Sequence, residues 1–487
     1  MLFLGFSAGI PLLLIFSSLS LWLREAGVAR STVTFFSWAA LAYSFKFVWA
    51  PLVDRLPLPF LTPMLGRRRG WLVLAQLAVI GALLFMAGHD PQESLVAIAV
   101  GAVMLGFAAA TQDIVIDAYR IERADAKWQA LMSSTYIAGY RIGMLAAGAG
   151  ALALASLWGS GEQGYSYSAW SRTYQCMALA MTVGLLTTLC IAEPKRPAGQ
   201  AEQPYETADY LRFLLLFVVV AILFVLTFIN SQSLINAAAQ SLASVGLGNR
   251  FAGFAGELLR LGLSVTVALL VALMMVRSRL VPSGMLKETY VSPFRDFFDR
   301  YGRTALLILL LIATYRISDI VMGTVANVFY DDRGYSKEQI AAVSKTFGLV
   351  MTLVGGFFGG IVTIRYGVFR SLWWGALLVC STNLLFALLA VVPPDIWLLA
   401  TVIAVDNLSG GMASATFVAY LSSLTNRSFT AMQYAVFSSL MTLFPKLWAG
   451  YSGTIVDSVG YTTFFIFSAL IGVPVLFLVS RVARRMG

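Results

Sequence analysis

Histidine is almost missing from this 487-residue chain, which has His89 alone. Cysteine is scarce too, at three residues, and charged residues make up only 12%. A single imidazole and scattered thiols exclude the clustered His, Cys and carboxylate sets that hold metal ions. Cys176, Cys190 and Cys380 all fall in apolar runs and read as small packed side chains, not as a disulfide or redox centre. There is no nucleophile elbow and no nucleotide-binding glycine loop. The basic run Gly66-Arg67-Arg68-Arg69-Gly70 follows an apolar span and lacks the lysine context of a P-loop, so ATP hydrolysis is not expected. The scarcity of charge also excludes a soluble fold. With 59% hydrophobic residues and a mean hydropathy of +0.79, the chain has more apolar surface than a soluble core can bury.

Long apolar runs are what the sequence has in abundance. Runs of about twenty residues match the hydrocarbon core of a bilayer. Fourteen are read at 2–23, 32–53, 71–88, 94–116, 131–157, 173–192, 211–230, 251–276, 304–330, 338–363, 371–392, 396–424, 431–455 and 461–480. The predicted class is an all-α polytopic membrane protein. The net charge of +10 would suit a nucleic-acid partner if it were concentrated, but it is spread over short loops. If the first span runs outward, 22 of the 34 Lys and Arg fall in cytoplasmic segments, and the outer loops hold only Arg24, Arg30, Arg172, Arg250, Arg333 and Lys337. By the positive-inside rule both termini are cytoplasmic. The chain enters its first span almost at Met1 with no cleavage site behind it, so a cleavable signal is not expected, while a short cytoplasmic extension could precede it.

The connections at 193–210 and 277–303 are the longest on the cytoplasmic side, and two spans lie between them. The organisation expected is a six-helix bundle over 1–192, a region over 193–303 with linkers, two inserted transmembrane helices and an amphipathic helix, and a second six-helix bundle over 304–487. Ala118-Tyr119 and Ala419-Tyr420 match at an offset of 301 residues, and Arg141 falls opposite Lys446 at 305, as two related transporter halves would leave behind. Segment 292–301 places Phe294, Phe297, Phe298 and Tyr301 on one face, with Ser292 as a cap and Pro293 at the first helical position. It reads as a helix lying along the inner membrane surface and bracing the second bundle. Gly5/Gly9, Gly139/Gly143 and Gly355, Gly356, Gly359, Gly360 have the spacing that lets helices approach closely.

Charges inside the spans carry the functional signal, because each costs about 2.5–3.5 kcal/mol to insert and by default faces a polar cavity. Asp113 and Asp117, with Gln112 beside them, share one end of the fourth span. They are either a helix-end cluster paired with Arg120 or Arg141, or a gate and proton acceptor. Arg316 and Asp319 are either a self-satisfied pair, or an anion-binding cation beside a proton carrier. Arg141, Lys345 and Lys446 have no carboxylate one turn away, so their partner is another helix or the ligand. Asp406-Asn407, ahead of Gly410-Gly411, is a second proton-carrier candidate. Lys46 either snorkels to the inner headgroups or joins Asp54, Arg55 and Arg67 in gating. Glu257 and Arg260 are expected to satisfy each other at a helix end.

Asp54-Arg55 followed by Gly66-Arg67-Arg68-Arg69-Gly70-Trp71 resembles the loop signature of the major facilitator superfamily, lengthened here by a stretch holding Pro57, Pro59 and Pro63. Gly5-Phe6 to Gly9-Ile10-Pro11, Phe45-Lys46-Phe47, Gln112-Asp113-Ile114 with Asp117-Ala118, and Gly139-Tyr140-Arg141 narrow the likeness, as do Arg295-Asp296-Phe297-Phe298, Lys345-Thr346 and Asn407 with Gly410-Gly411-Met412. Together they resemble the AmpG-type muropeptide permeases of Gram-negative inner membranes. The inserted pair at 211–276 departs from many relatives.

The resemblance implies a major-facilitator fold and proton-driven import of GlcNAc-anhydro-MurNAc and its peptide derivatives for peptidoglycan recycling, with an indirect influence on β-lactamase induction. A monomer that needs no cofactor is expected, with protons and membrane lipids as its other partners. Tyr140, Arg141, Arg316, Lys345, Lys446, Asn407 and Gln112 would then contact substrate, and Asp319, Asp406, Asp113 and Asp117 would handle protons. Alternatives are another acidic solute such as an acyl-coenzyme A or a siderophore, or a membrane sensor or lipid-processing enzyme.

Overall fold

The computed structural model describes residues 1–29, 36, 41–160, 164–195, 205–233, 235, 249–449 and 451–486. Among these, twelve helices are long and apolar enough to cross a membrane, from Leu2–Glu25 to Ile455–Met486. The expectation of fourteen is therefore met for twelve. The run at 32–53 lies partly outside the described residues, and its remainder is short: Leu41–Phe45, a 3-10 turn Lys46–Val48, and Ala50–Arg55. Pro51 explains the break, since its ring clashes with the carbonyl four residues back and it has no N–H to give. The thirteenth run forms the 20-residue helix Thr430–Ala449, whose apolar character is diluted by Gln433, four serines and threonines, Pro445 and Lys446.

An internal repeat is visible in the element boundaries. Leu95–Arg123 and Ile396–Leu424 are both 29 residues long and begin 301 residues apart. The same offset relates the 3-10 turns Ala126–Trp128 and Arg427–Phe429. It also relates Gly66 to Gly367, each at positive φ before a spanning helix, and Gly159 to Gly460. The first and second repeats thus share a frame, and the Ala-Tyr match at 118 and 419 is one point on it.

The glycine pairs work as close contacts. A β-carbon on Gly5 or Gly9 would run into the carbonyls of Tyr136 and Tyr140, and one on Gly139 or Gly143 into those of Leu2 and Phe6. The second repeat does the same with Gly355 against Leu408 and Gly411 against Thr352. Backbones this close gain dispersion contact that larger residues would forbid.

By compactness the chain parts into two units: Met1–Asp54, Leu58–Ala198 and Phe297–Gly487 form one, and Arg55–Pro57 with Gly199–Asp296 the other. In the smaller unit Thr207–Asn230 packs along Asn249–Arg277. The spanning windows of this pair are only 11% and 17% buried, which leaves their apolar surface for lipid. Arg260 is buried here, donates to the Phe228 carbonyl at 2.8 and 3.1 Å and lies over the Phe228 ring. The Glu257 side chain lies outside the described residues.

Helix Ser292–Tyr301 forms where expected, but Ser292 does not cap it. Ser292 has helical dihedrals and continues a π-helical turn, Lys287–Val291. Phe297 is buried against Tyr301 and Phe437, and Arg300 donates to the Leu424 carbonyl and to Gln433. These contacts tie the end of the helix to the second repeat.

Candidate functional site

The arginine run opens helix Arg67–Ala87, and Gly66 at φ 93 sets its phase so that the middle arginine turns inward. Glu193 accepts from the main-chain N–H groups of Arg68 and Arg69 and caps this helix start. Arg68 is fully buried, a state a guanidinium tolerates only when its donors are matched. It reaches Asp54 at 2.7 Å and Glu122 at 2.6 Å, and donates to the Val53 carbonyl. Arg67 adds a bond to Glu122 at 3.0 Å and one to the Asp54 carbonyl.

The two carboxylates so held reach across to the second repeat. Asp54 accepts from the N–H of Ala431 at 3.1 Å and of Met432 at 2.9 Å, the open first turn of helix Thr430–Ala449, and Glu122 accepts from the Thr430 hydroxyl. A carboxylate at a helix N-terminus satisfies orphan donors and opposes the dipole. Arg120 donates to Ser422, Arg427 to the Ala124 carbonyl and Ser134 to the Gly356 carbonyl. All these bonds lie toward the end that bears the arginine-rich loops. At the other end, no hydrogen bond joins the repeats among the described residues.

One layer deeper, Lys46 is buried and does not snorkel. It pairs with Asp113 and lies 3.8 Å from Asp117. Tyr136 donates to Asp113 at 3.0 Å, and Arg120 bonds Asp117 at 3.3 Å, Gln129 and Ser133. Through its bond to Ser422, Arg120 also joins this cluster to the second repeat. Gln112, one residue from Asp113, turns about 100° away around the helix and is fully buried beside Ser7.

The second repeat is organised differently. The ninth span breaks at Tyr315-Arg316, between helices Thr304–Thr314 and Ile317–Asp332, and Asp319 sits in the first turn after the break. Arg316 and Asp319 pair with each other, and their side chains stay 30% and 27% exposed in a cavity lined also by Tyr315, Ser318, Cys380 and Gly472. Arg141, from the first repeat, is exposed within the fold and lies in electrostatic reach of both Arg316 and Asp319. Tyr140 precedes it and lies 6.0 Å from Tyr136. Asp406 lies in reach of Asp319 and accepts a 2.9 Å bond from Thr382; among the described residues no cation pairs with it.

Other expected site residues fall elsewhere. Asn407 bonds Thr352 and the Ile403 carbonyl, spanning a helix contact. Lys446 is exposed and makes no ion pair among the described residues. Lys345 lies in the π-helical turn Ala341–Phe347, and its side chain is outside the described residues. Arg55 belongs to the smaller unit, where it sits 3.8 Å from Glu288. Sequence reading missed Arg68 as the buried centre, and Glu122 altogether. Its one available signal was an acidic residue within an apolar helix end, opposite an arginine run.

Comparison with known proteins agrees with this architecture. Over 99% of its length the chain superposes on the fucose transporter FucP in its outward conformation, at TM-score 0.61 and 9% identity with 97% of that chain covered. The proton:xylose symporter XylE gives TM-score 0.59 at 12% identity, covering 99% of this chain and 93% of that one. Both show the major facilitator fold. The family model described as Acetyl-coenzyme A transporter 1 matches residues 1–103. Among curated relatives, AmpG 4 of Rickettsia felis, named as a transporter, is 30% identical over 99% of this chain and 95% of its own length. Its namesake in Rickettsia conorii is 31% identical over 98% and 94%. The anhydromuropeptide permease of Escherichia coli K12 is 29% identical over 99% of this chain and 79% of its own. The chain is a transporter, not an enzyme, and it belongs to the AmpG-type permeases of the major facilitator superfamily.

Proposed function

We propose that this protein imports anhydro-muropeptides from periplasm to cytoplasm, driven by the proton gradient, through alternating access in the inner membrane. The observation that carries this reading is the open Arg316–Asp319 pair in the cavity of the second repeat, with Arg141 of the first repeat and Asp406 in electrostatic reach of Asp319. A site shared between repeats changes access when they rock. Arg141, Arg316, Lys345 and Lys446 receive the acidic groups of the cargo. Tyr140 offers a face to a sugar ring. Asp319 and Asp406 carry the proton.

With the arginine-rich end cytoplasmic, the bonds from Asp54, Glu122 and Arg120 close the inner exit, and the conformation described faces outward. Release needs Asp54 and Glu122 to let go of helix Thr430–Ala449. The lysine-centred cluster of Asp113 and Asp117 rearranges in the same step. Inward movement of an anionic cargo opposes a negative-inside potential by about 2.3 kcal/mol per charge per 100 mV, which cotransported protons offset.

The test is uptake of radiolabelled anhydro-muropeptide into right-side-out vesicles with and without an uncoupler. Uncoupler-sensitive accumulation is expected; absence of uptake by correctly inserted protein overturns the reading. A second reading, transport of another acidic solute such as an acyl-coenzyme A, draws on the family match over residues 1–103. Competition of the labelled uptake by acetyl-coenzyme A separates the two.

A further inference from the structure

The cavity of the second repeat holds the pair Arg316 and Asp319, and Arg141 of the first repeat lies in electrostatic reach of both while making no ion pair among the described residues. The helix break at Arg316 adds the open N-terminus of Ile317–Asp332, whose first turn Asp319 occupies. Asp319 is therefore placed where an anionic ligand would go. It holds the guanidinium, and both its side chain and that of Arg316 remain open to the cavity. Behind it stands Asp406, with a hydroxyl from Thr382 as its hydrogen-bond donor and Tyr330 in electrostatic reach. The groups facing Asp319 are thus Arg316 on its own helix, Arg141 from the first repeat, Asp406, and the phenol of Tyr315 and thiol of Cys380 in the cavity wall.

We infer that substrate and proton are linked by displacement: a carboxylate of the cargo takes the place of Asp319 on Arg316, with Arg141 as its second cation, and the freed Asp319 carboxylate takes up the proton. The inference rests on the anhydro-muropeptide reading above and deepens it. Charge balances in the step. One anionic group arrives, one proton from the outer water bonds to a carboxylate oxygen, and no other bond is made or broken. The driving force is local. Asp319 detached from Arg316 would face a second carboxylate, Asp406, in electrostatic reach, and like charges so placed favour protonation of one. A cargo without acidic groups displaces Asp319 poorly and carries few protons.

The experiment uses the full chain in proteoliposomes, with uptake of labelled anhydro-muropeptide and of protons followed together, and the same cargo with its carboxylates amidated as the neutral probe. The proton-to-substrate ratio is expected to fall about tenfold for the amidated cargo, a difference that the loss of one charge-assisted contact supplies. Asp319→Asn is expected to bind the acidic cargo severalfold more tightly, because the internal competitor is gone, and to lose proton uptake. Arg316→Gln is expected to weaken the acidic cargo about 10- to 100-fold and the amidated one far less, with Arg316→Lys partly restoring the former. A residue of merely structural role would not separate the two cargoes. Equal proton ratios for both cargoes, or proton uptake retained by Asp319→Asn, overturns the displacement while leaving muropeptide import standing. Failure of the unmodified protein to take up either cargo removes the import reading and this inference with it.

Discussion

The two repeats share a helical frame but treat charge in opposite ways. In the first, the carboxylates of the inner clusters are matched by cations: Asp113 and Asp117 by Lys46 and Arg120, and Asp54 and Glu122 by Arg68 and Arg67. In the second, the Arg316–Asp319 pair is left half open, and Asp406 has no cation among the described residues. A duplicated scaffold can thus assign one copy to holding a closed state and the other to handling the cargo's charge. The difference lies in side chains, since the boundaries at 95 and 396, 126 and 427, and 66 and 367 keep step.

The largest expected effect comes from breaking the matched side of that contrast. Arg68→Ala strips the common partner from Asp54 and Glu122, and leaving buried charges uncompensated costs about 3–5 kcal/mol. Thermal unfolding of the purified protein should fall accordingly, and unchanged unfolding would remove Arg68 from the centre of the closure. Next comes the frame itself. Gly143→Val and Gly411→Val each force a β-carbon into a neighbouring carbonyl, at Phe6 and Thr352. Overpacking of this kind costs about 1–3 kcal/mol. If the repeats use the glycines alike, both variants should lose similar stability, and a marked disparity would confine close packing to one.

Asp406→Asn sharpens the contrast from the other side. Among the described residues it leaves no cation unpaired, so its stability should change by less than about 1 kcal/mol, while uncoupler-sensitive accumulation in vesicles drops to the equilibrium level. Full accumulation by this variant would remove Asp406 as a proton carrier. The smallest effect is expected from Arg55→Gln. The pair with Glu288 is long and partly solvated, worth about 0–1 kcal/mol, and neither unfolding nor uptake should move appreciably.

How much of this was legible in the sequence follows from which interactions are local. The spans follow from hydropathy, and the glycine contacts from spacing, because one helix face suffices to state them. Arg316–Asp319 was legible for the same reason, being three residues apart on one helix. Lys46 and Asp113 are 67 residues apart, and Lys46 sits in a 3-10 turn that a uniform helix would not place there. No pattern along the chain could pair them. The choice among Arg67, Arg68 and Arg69 depends on helix phase, fixed by the turn at Gly66, and three identical residues give no hint of it. The uncapped Ser292 was misjudged because the π-helical turn before it has no composition signature.

The hold that Asp54 keeps on Ala431 and Met432 goes through their main-chain N–H groups, which every residue but proline carries. The identities of residues 431 and 432 are therefore invisible to it. Sequence drift at these two positions should leave the closure intact, whereas on the opposing side the carboxylate at 54 has no such latitude. The recognising partner is pinned to one amino acid while the recognised one is nearly free, so pairwise covariation between the two sides should be weak despite their contact. A proline at 432 would be the informative exception: a single change, neutral in charge, that removes one of the two main-chain donors Asp54 holds.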